Sequence, residues 1–216
     1  MIRQIPLLQP ESDWCTPEIL PTFDPKETLA IDLETKDPSL LQRGPGWATN
    51  DGHIVGIAIA SKSWSGYLPI RHEGGGNLDD EVVLRWMKKT LNNHTGSLVF
   101  HNALYDVGWL KREGIEVKTK IYDTMFAAPL LDEHRRSYSL NNLGKDYCDE
   151  IKDETLLETA AHAWGINKKS GLYQLPAKYV GPYAEQDAAL TLKLWNKFSS
   201  LIQEEGLQQV FQMECD

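Results

Sequence analysis

The stretch Thr28-Leu-Ala-Ile-Asp-Leu-Glu34 constrains this chain more than any other part of it. Its apolar residues alternate, so in an extended strand Leu29, Ile31 and Leu33 share one face while Ala30, Asp32 and Glu34 share the other. One face is built for a core, and the other points two carboxylates the same way. A central strand rarely carries two charges on one face without a partner, because desolvating a charge is costly. A divalent cation is the natural partner, and carboxylate oxygens suit Mg2+ or Mn2+. Taken alone, the pair is a weak signal, and a solvated strand end is the commoner explanation of it.

The rest of the pattern is that of an α/β chain. Residues 1–27 carry Pro6, Pro10, Pro17, Pro21 and Pro25 without apolar periodicity and read as an extended arm. Residues 38–52 read as an irregular loop. Runs 54–60 and 66–70 predict a hairpin closed through 61–65. Asp79, Asp80 and Glu81 open a helix that ends near Lys88-Lys89 and Asn92-Asn93, as the helix dipole favours. Residues 97–100 predict a short strand, followed by a helix over 103–112 stopped by Gly114. Further helices are expected over 124–132, 140–148, 156–164, 182–199 and 201–212. Strands first, then strands alternating with helices, predict a mixed sheet covered by helices.

Composition narrows the function classes. The chain has 216 residues, 41% hydrophobic and 25% charged, enough for one α/β domain without a disulfide or metal staple. Cys15, Cys148 and Cys215 are odd in number and far apart, which fits a reducing cytosol better than a disulfide framework. No apolar run is long enough for a membrane span, and the first eight residues lack the apolar core of a signal peptide. A cytoplasmic protein with no membrane partner is expected. The formal charge of −9 speaks against a nucleic-acid partner held by a basic surface, unless cations offset some of the acids.

Two more pieces stand out. In His101-Asn-Ala-Leu-Tyr-Asp106, Asn102 and Asp106 lie four apart at a helix start and so share a face. A helix-capping Asn with a first-turn acid would give the same pattern. In the helix from Tyr183, the residues Tyr183, Asp187, Leu190 and Leu194 lie on one face, so Asp187 interrupts a stripe that should meet the core. A lone structural Asp bonded to backbone is the bland account of it.

Together, Ile31-Asp-Leu-Glu-Thr35, Asn102-x-x-Tyr-Asp106 and Tyr183-x-x-x-Asp187 resemble, in order and spacing, the three motifs of the DEDDy 3′–5′ exonucleases, which are ribonuclease H-like domains. Tyr122-Asp-Thr-Met-Phe-Ala-Ala-Pro-Leu-Leu-Asp132, followed by Ser139-Leu-Asn-Asn-Leu, is similar to the proofreading domain of family A DNA polymerases. The Gly44-Pro-Gly-Trp loop has a phage-polymerase look. The resemblance covers 28–200, and the tail 201–216 resembles a helix leading into a polymerase domain, cut off early.

It implies an α/β, ribonuclease H-like mixed sheet of about five strands surrounded by helices. It implies that Asp32, Glu34, Asp106 and Asp187 hold two divalent ions, Mg2+ or Mn2+, with Asp32 bridging them and Tyr183 orienting the attacking water. Asn102 and Thr35 would contact the substrate. The substrate would be the 3′ end of single-stranded DNA, the product a nucleoside 5′-monophosphate, and the partner a covalently linked or associated polymerase domain. Two Mg2+ would change the formal balance from −9 to −5.

The rival readings are a ribonuclease D-like exoribonuclease with the same acids, a silent nucleic-acid-binding module, and an internally cutting ribonuclease H. The Tyr183 spacing speaks against the last. Arg135, Arg136, Lys168, Lys169 and Lys178 are candidate phosphate contacts. Trp47 is either a base-stacking platform or a packed loop residue, and Gly74-Gly-Gly76 reads as a flexible turn. His101 adjoins the second motif without a metal-ligand partner.

Overall fold

The structure, a computed structural model, describes residue 6 and residues 8–215. Residues 1–5 and 7 of the expected arm, and residue 216 of the expected tail, lie outside the described residues. The elements run β1 (Leu29–Lys36), α1 (Leu40–Arg43), α2 (Gly46–Thr49), β2 (His53–Ala60), β3 (Ser65–Pro69), α3 (Asp80–Asn93), β4 (Leu98–Phe100) and α4 (Ala103–Arg112). They continue with β5 (Ile121–Asp123), α5 (Thr124–Leu131), α6 (Leu140–Cys148), α7 (Thr155–Trp164), a 3-10 turn (Leu172–Gln174), α8 (Ala177–Glu204) and α9 (Gln208–Cys215). The five strands form one sheet in the order β3-β2-β1-β4-β5, with β1 at its centre. The β1–β2 and β2–β3 pairs are antiparallel, and β1–β4 and β4–β5 are parallel. The sheet is mixed, as the element pattern predicted, with the five strands that the family resemblance implied.

The alternation in β1 sorts the core into two halves. Leu29, Ile31 and Leu33 join Ile54, Ile57, Ile59, Val83, Met87 and Trp109 under α3 and α4. Ala30 joins Ala58, Ala60, Ala184, Ala188 and Leu190 under α8. Large residues fill the first side. Small ones on the second let α8 lie close to the sheet, which brings its side chains to the β1 acids.

Several boundaries differ from the sequence reading. The loop over 38–52 contains α1 and α2. The third parallel strand, β5, was not anticipated, because three residues are too few for a period-2 signal. The helix expected from Pro182 begins five residues earlier, at Ala177. Proline removes one amide donor from a helix, leaving the carbonyl four residues back without its usual partner. Here that carbonyl belongs to Lys178, and the Ser12 hydroxyl from the arm donates to it at 2.8 Å.

The helix expected over 201–212, and with it the single C-terminal helix over 201–216, is not formed as such. Leu201 to Glu204 continue α8, Gly206 turns with φ +68°, and α9 starts at Gln208. Only glycine takes that φ without strain. Phe211 of α9 then stacks on Trp195 and Tyr122, with ring centroids 5.5 and 5.8 Å away.

The Gly74-Gly-Gly76 turn is held in place: the Ala177 amide donates to Gly75 O at 3.0 Å and Thr16 Oγ1 to Gly76 O at 2.8 Å. Among the described residues, no helix is long and apolar enough to cross a membrane.

Candidate active site

The acidic face of β1 points toward α8. Asp32 pairs across the strand with Ala58 and Glu34 with Gly56, so no bulky neighbour covers either carboxylate from β2. A bulge between Glu34 and Thr35 ends the regular register and re-aims the next side chain. Thr35 Oγ1 consequently meets Tyr105 Oη at 2.8 Å, and that phenol donates to Asp37 Oδ2 at 3.0 Å.

The second motif reaches the same place from the β4–α4 corner. β4 pairs with β1 only at Leu29 and Ala30, which leaves the Leu33 amide beyond the end of β4. Asp106, one turn into α4 and 4% exposed, takes that amide on Oδ1 at 3.0 Å. Its carboxylate therefore lies against the strand between Asp32 and Glu34.

The corner itself depends on Asp123, the last residue of β5. It accepts from the Asn102, Ala103 and Met125 amides at 3.0, 2.6 and 2.8 Å, serving the starts of both α4 and α5. Asn102 does not cap with its side chain. It sits at φ +82°, exposed, and turns the chain into α4.

The third motif comes from α8. Asp187 is 6% exposed, and Tyr183 lies half-buried one turn before it. A residue absent from the sequence reading completes the cluster: Lys152, in the loop between α6 and α7. Its Nζ lies 2.7 Å and 2.8 Å from the two Asp187 oxygens and donates to Oδ2. The ammonium also stands 4.3 Å from the centre of the Tyr183 ring.

The electrostatics follow from burial. Burial and the Asp187 charge push Asp32 up to about 7, and Lys152 pulls it back. Glu34 stands well above the usual carboxylate range through burial and the charges of Asp32 and Asp187. Asp106 does so through burial and Asp32, against the Leu33 amide bond. Asp187 is raised by burial even with Lys152 beside it. Burial and the carboxylates of Glu34, Asp187 and Asp32 raise the Tyr183 phenol as well.

Such a cluster resists full ionisation unless more positive charge enters. Its donors are all hard oxygens on β1, α4 and α8, a set that fits a divalent cation. Among the described residues, no three ligating groups converge on one point as they stand. Asp187 grips Lys152, and Asp32 and Glu34 feel its charge.

The other candidates separate. Trp47 packs: a Cβ at Gly108 of α4 would lie 2.4 Å from its ring. Lys168 is paired with Glu154 and Glu158, and Arg135 with Asp146. Lys178 lies over the Tyr179 ring at 4.9 Å. Arg136 and Lys169 have no ion-pair partner among the described residues. His101 Nδ1 is engaged by Thr124 Oγ1 at 2.9 Å.

The fold is that of ribonuclease H-like domains, and comparison with known proteins places the chain among nucleases. A family model described as 3′–5′ exonuclease matches residues 24–203. The chain is 40% identical over 209 residues to a DNA-directed DNA polymerase of Pseudomonas phage M6, covering 94% of this chain and 32% of that protein. It is 29% identical to the DNA polymerase DpoZ of Salmonella phage PMBT28, covering 91% of this chain and 30% of that one.

The chain belongs to the 3′–5′ exonuclease family of the family A DNA polymerases, and is by class a hydrolase. It spans about a third of the length of these curated relatives.

Solved structures share the fold. A structure described as the apo form of a nuclease aligns with TM-score 0.59 at 15% identity, covering 87% of this chain and 79% of its own. Brucella melitensis NrnC, described with bound Mg2+, aligns at 0.58 and 13% identity, with the same coverages. Escherichia coli RNase D, described as an exoribonuclease, aligns at 0.54 and 13%, covering 88% of this chain and 43% of its own.

Proposed function

We propose that the chain removes nucleotides from the 3′ end of single-stranded DNA as nucleoside 5′-monophosphates, serving as the proofreading domain of a phage-type polymerase. The observation that carries this reading is that Asp106 and Asp187, from two helices far apart in sequence, are both brought beside the strand that carries Asp32 and Glu34. Asp32, Glu34, Asp106 and Asp187 would hold two divalent ions, Mg2+ or Mn2+. When bound, these supply an activated water and stabilisation of the leaving oxygen in an in-line hydrolysis.

The chain's own part is positional. Asp106 is fixed by the Leu33 amide, and Asp187 by its place on the long helix α8. The Tyr183 phenol, kept protonated by its surroundings, would donate or accept at the attacking water. Thr35, next to Glu34 on β1, and the exposed Asn102, at the start of α4, would contact the terminal nucleotide. Residues 28–200 would form the exonuclease domain, and the tail from 201 would lead to a linked polymerase domain. The phage polymerase relatives support this arrangement and a location in the cytoplasm of a bacterial or infected cell.

A 5′-labelled single-stranded DNA and a matched RNA, each incubated with Mg2+, Mn2+ or EDTA, test the proposal on a sequencing gel. A metal-dependent ladder shortening from the 3′ end, faster on DNA, is the expected result. Faster trimming of RNA would overturn the DNA assignment in favour of a ribonuclease D-like role. Internal cuts, or no product with metal, would overturn the exonuclease reading.

A further inference from the structure

Lys152 has no part in the motifs, yet its position is built. The Lys152 amide donates to Asn141 Oδ1 of α6 at 3.2 Å, and the next amide, Asp153, donates to Gln186 Oε1 of α8 at 2.9 Å. The loop is thus held from both sides, directly beside Asp187. The side chain is 6% exposed, and its ammonium lies on both Asp187 oxygens, over the Tyr183 ring, in the field of Asp32 and Glu34, and at a longer 3.7 Å from Glu154 Oε1. A buried lysine placed among carboxylates does what a bound cation would do: it offsets charge that burial makes costly.

We propose that Lys152 is a positioning residue that serves as the site's internal counter-ion. It holds Asp187 in place when no metal is bound, and it competes with a divalent ion for the same two oxygens. Metal loading then requires the ammonium to release Asp187, so the lysine raises the metal concentration at which the site fills. The coupling is reciprocal, so a bound ion loosens the ammonium's hold on Asp187 by the same factor; without metal, the ammonium stabilises the folded chain by offsetting the buried carboxylates. The proposal rests on the reading of these acids as the ion site of an exonuclease.

Mn2+ binding without nucleic acid tests it, followed by calorimetry and by electron paramagnetic resonance of free Mn2+, with melting recorded in EDTA. Lys152→Met should bind Mn2+ about tenfold more tightly than the wild type and melt lower in EDTA, with a larger Mn2+-induced rise. Lys152→Arg keeps the charge and should bind Mn2+ no more tightly than the wild type.

Unchanged or weaker binding by Lys152→Met overturns the proposal while leaving the exonuclease reading intact. Absence of Mn2+ binding by all three proteins overturns both. If Lys152→Met does not stay folded in EDTA, Lys152→Arg and Lys152→Gln decide: the proposal requires tighter binding by the glutamine variant and not by the arginine one. Equal affinities in that pair would sink it.

Discussion

The two faces of β1 belong to the same eight residues and do opposite work. Leu29, Ile31 and Leu33 are at most 6% exposed and packed under α3 and α4 by large aliphatic and aromatic side chains. One residue along, Asp32 and Glu34 face α8 across a floor of alanine and glycine. The apolar face gains stability from burial. The acidic face gives some up, because its carboxylates are held above their ordinary range by desolvation and by one another. Under the proposed function the acidic face is kept for chemistry, and the apolar face supplies the stability that permits it.

The largest expected effect lies on the acidic face. Asp32→Ala should reduce 3′ trimming to background while leaving the melting temperature in EDTA unchanged or higher, since a repelling carboxylate has gone. A folded Asp32→Ala protein that trims at the wild-type rate would break the division between the faces.

Tyr183→Phe should be milder, because the acids remain: a loss of about a hundredfold in turnover with little change in metal dependence. A loss as deep as that of Asp32→Ala would mean that the phenol does more than orient water.

The smallest effect concerns what holds the acidic side together behind the site. His72 is 4% exposed, receives or gives a hydrogen bond at 2.8 Å with Tyr67 Oη, and is lowered by burial to about 4 from an ordinary 6.5. Between those two values the unfolded chain binds a proton at His72 that the folded chain does not. Stability is therefore lost as pH falls through this window, by at most about 1.4 kcal/mol per pH unit from one group. Thermal melts of wild type and His72→Gln from pH 7 to 4 isolate the contribution. The wild type should lose more than the variant, and parallel curves would remove His72 from the account.

Much of this was legible in the sequence, because it rests on periodicity. The alternation at 29–34 sorted both faces correctly, the hairpin and α4 and α6 fell where turn residues and apolar spacing placed them, and Asp187 stood out by breaking an apolar stripe. What was not legible depends on contacts between distant segments. Pro182 lies inside α8 because Ser12, some 170 residues away, satisfies the carbonyl that proline leaves open. Asp123 and Lys152 follow the same logic. A lone acid before a helix and a lone lysine in a loop carry no pattern, and only the fold shows that one anchors two helix starts and the other sits on Asp187. An Asp immediately before the 124–132 helix was the one available signal, as a capping residue.

The most direct measurement uses the adjacent pair Leu33→Ala and Glu34→Ala, each assayed for melting in EDTA and for Mg2+-dependent shortening of 5′-labelled DNA well below its melting point. Leu33→Ala should lose about 2–5 kcal/mol of stability and keep near-normal trimming per folded molecule, whereas Glu34→Ala should melt no lower than the wild type and lose trimming. The reverse pattern, an inactive but stable Leu33→Ala beside an active but unstable Glu34→Ala, would contradict the assignment of the acidic face to chemistry and the apolar face to the fold.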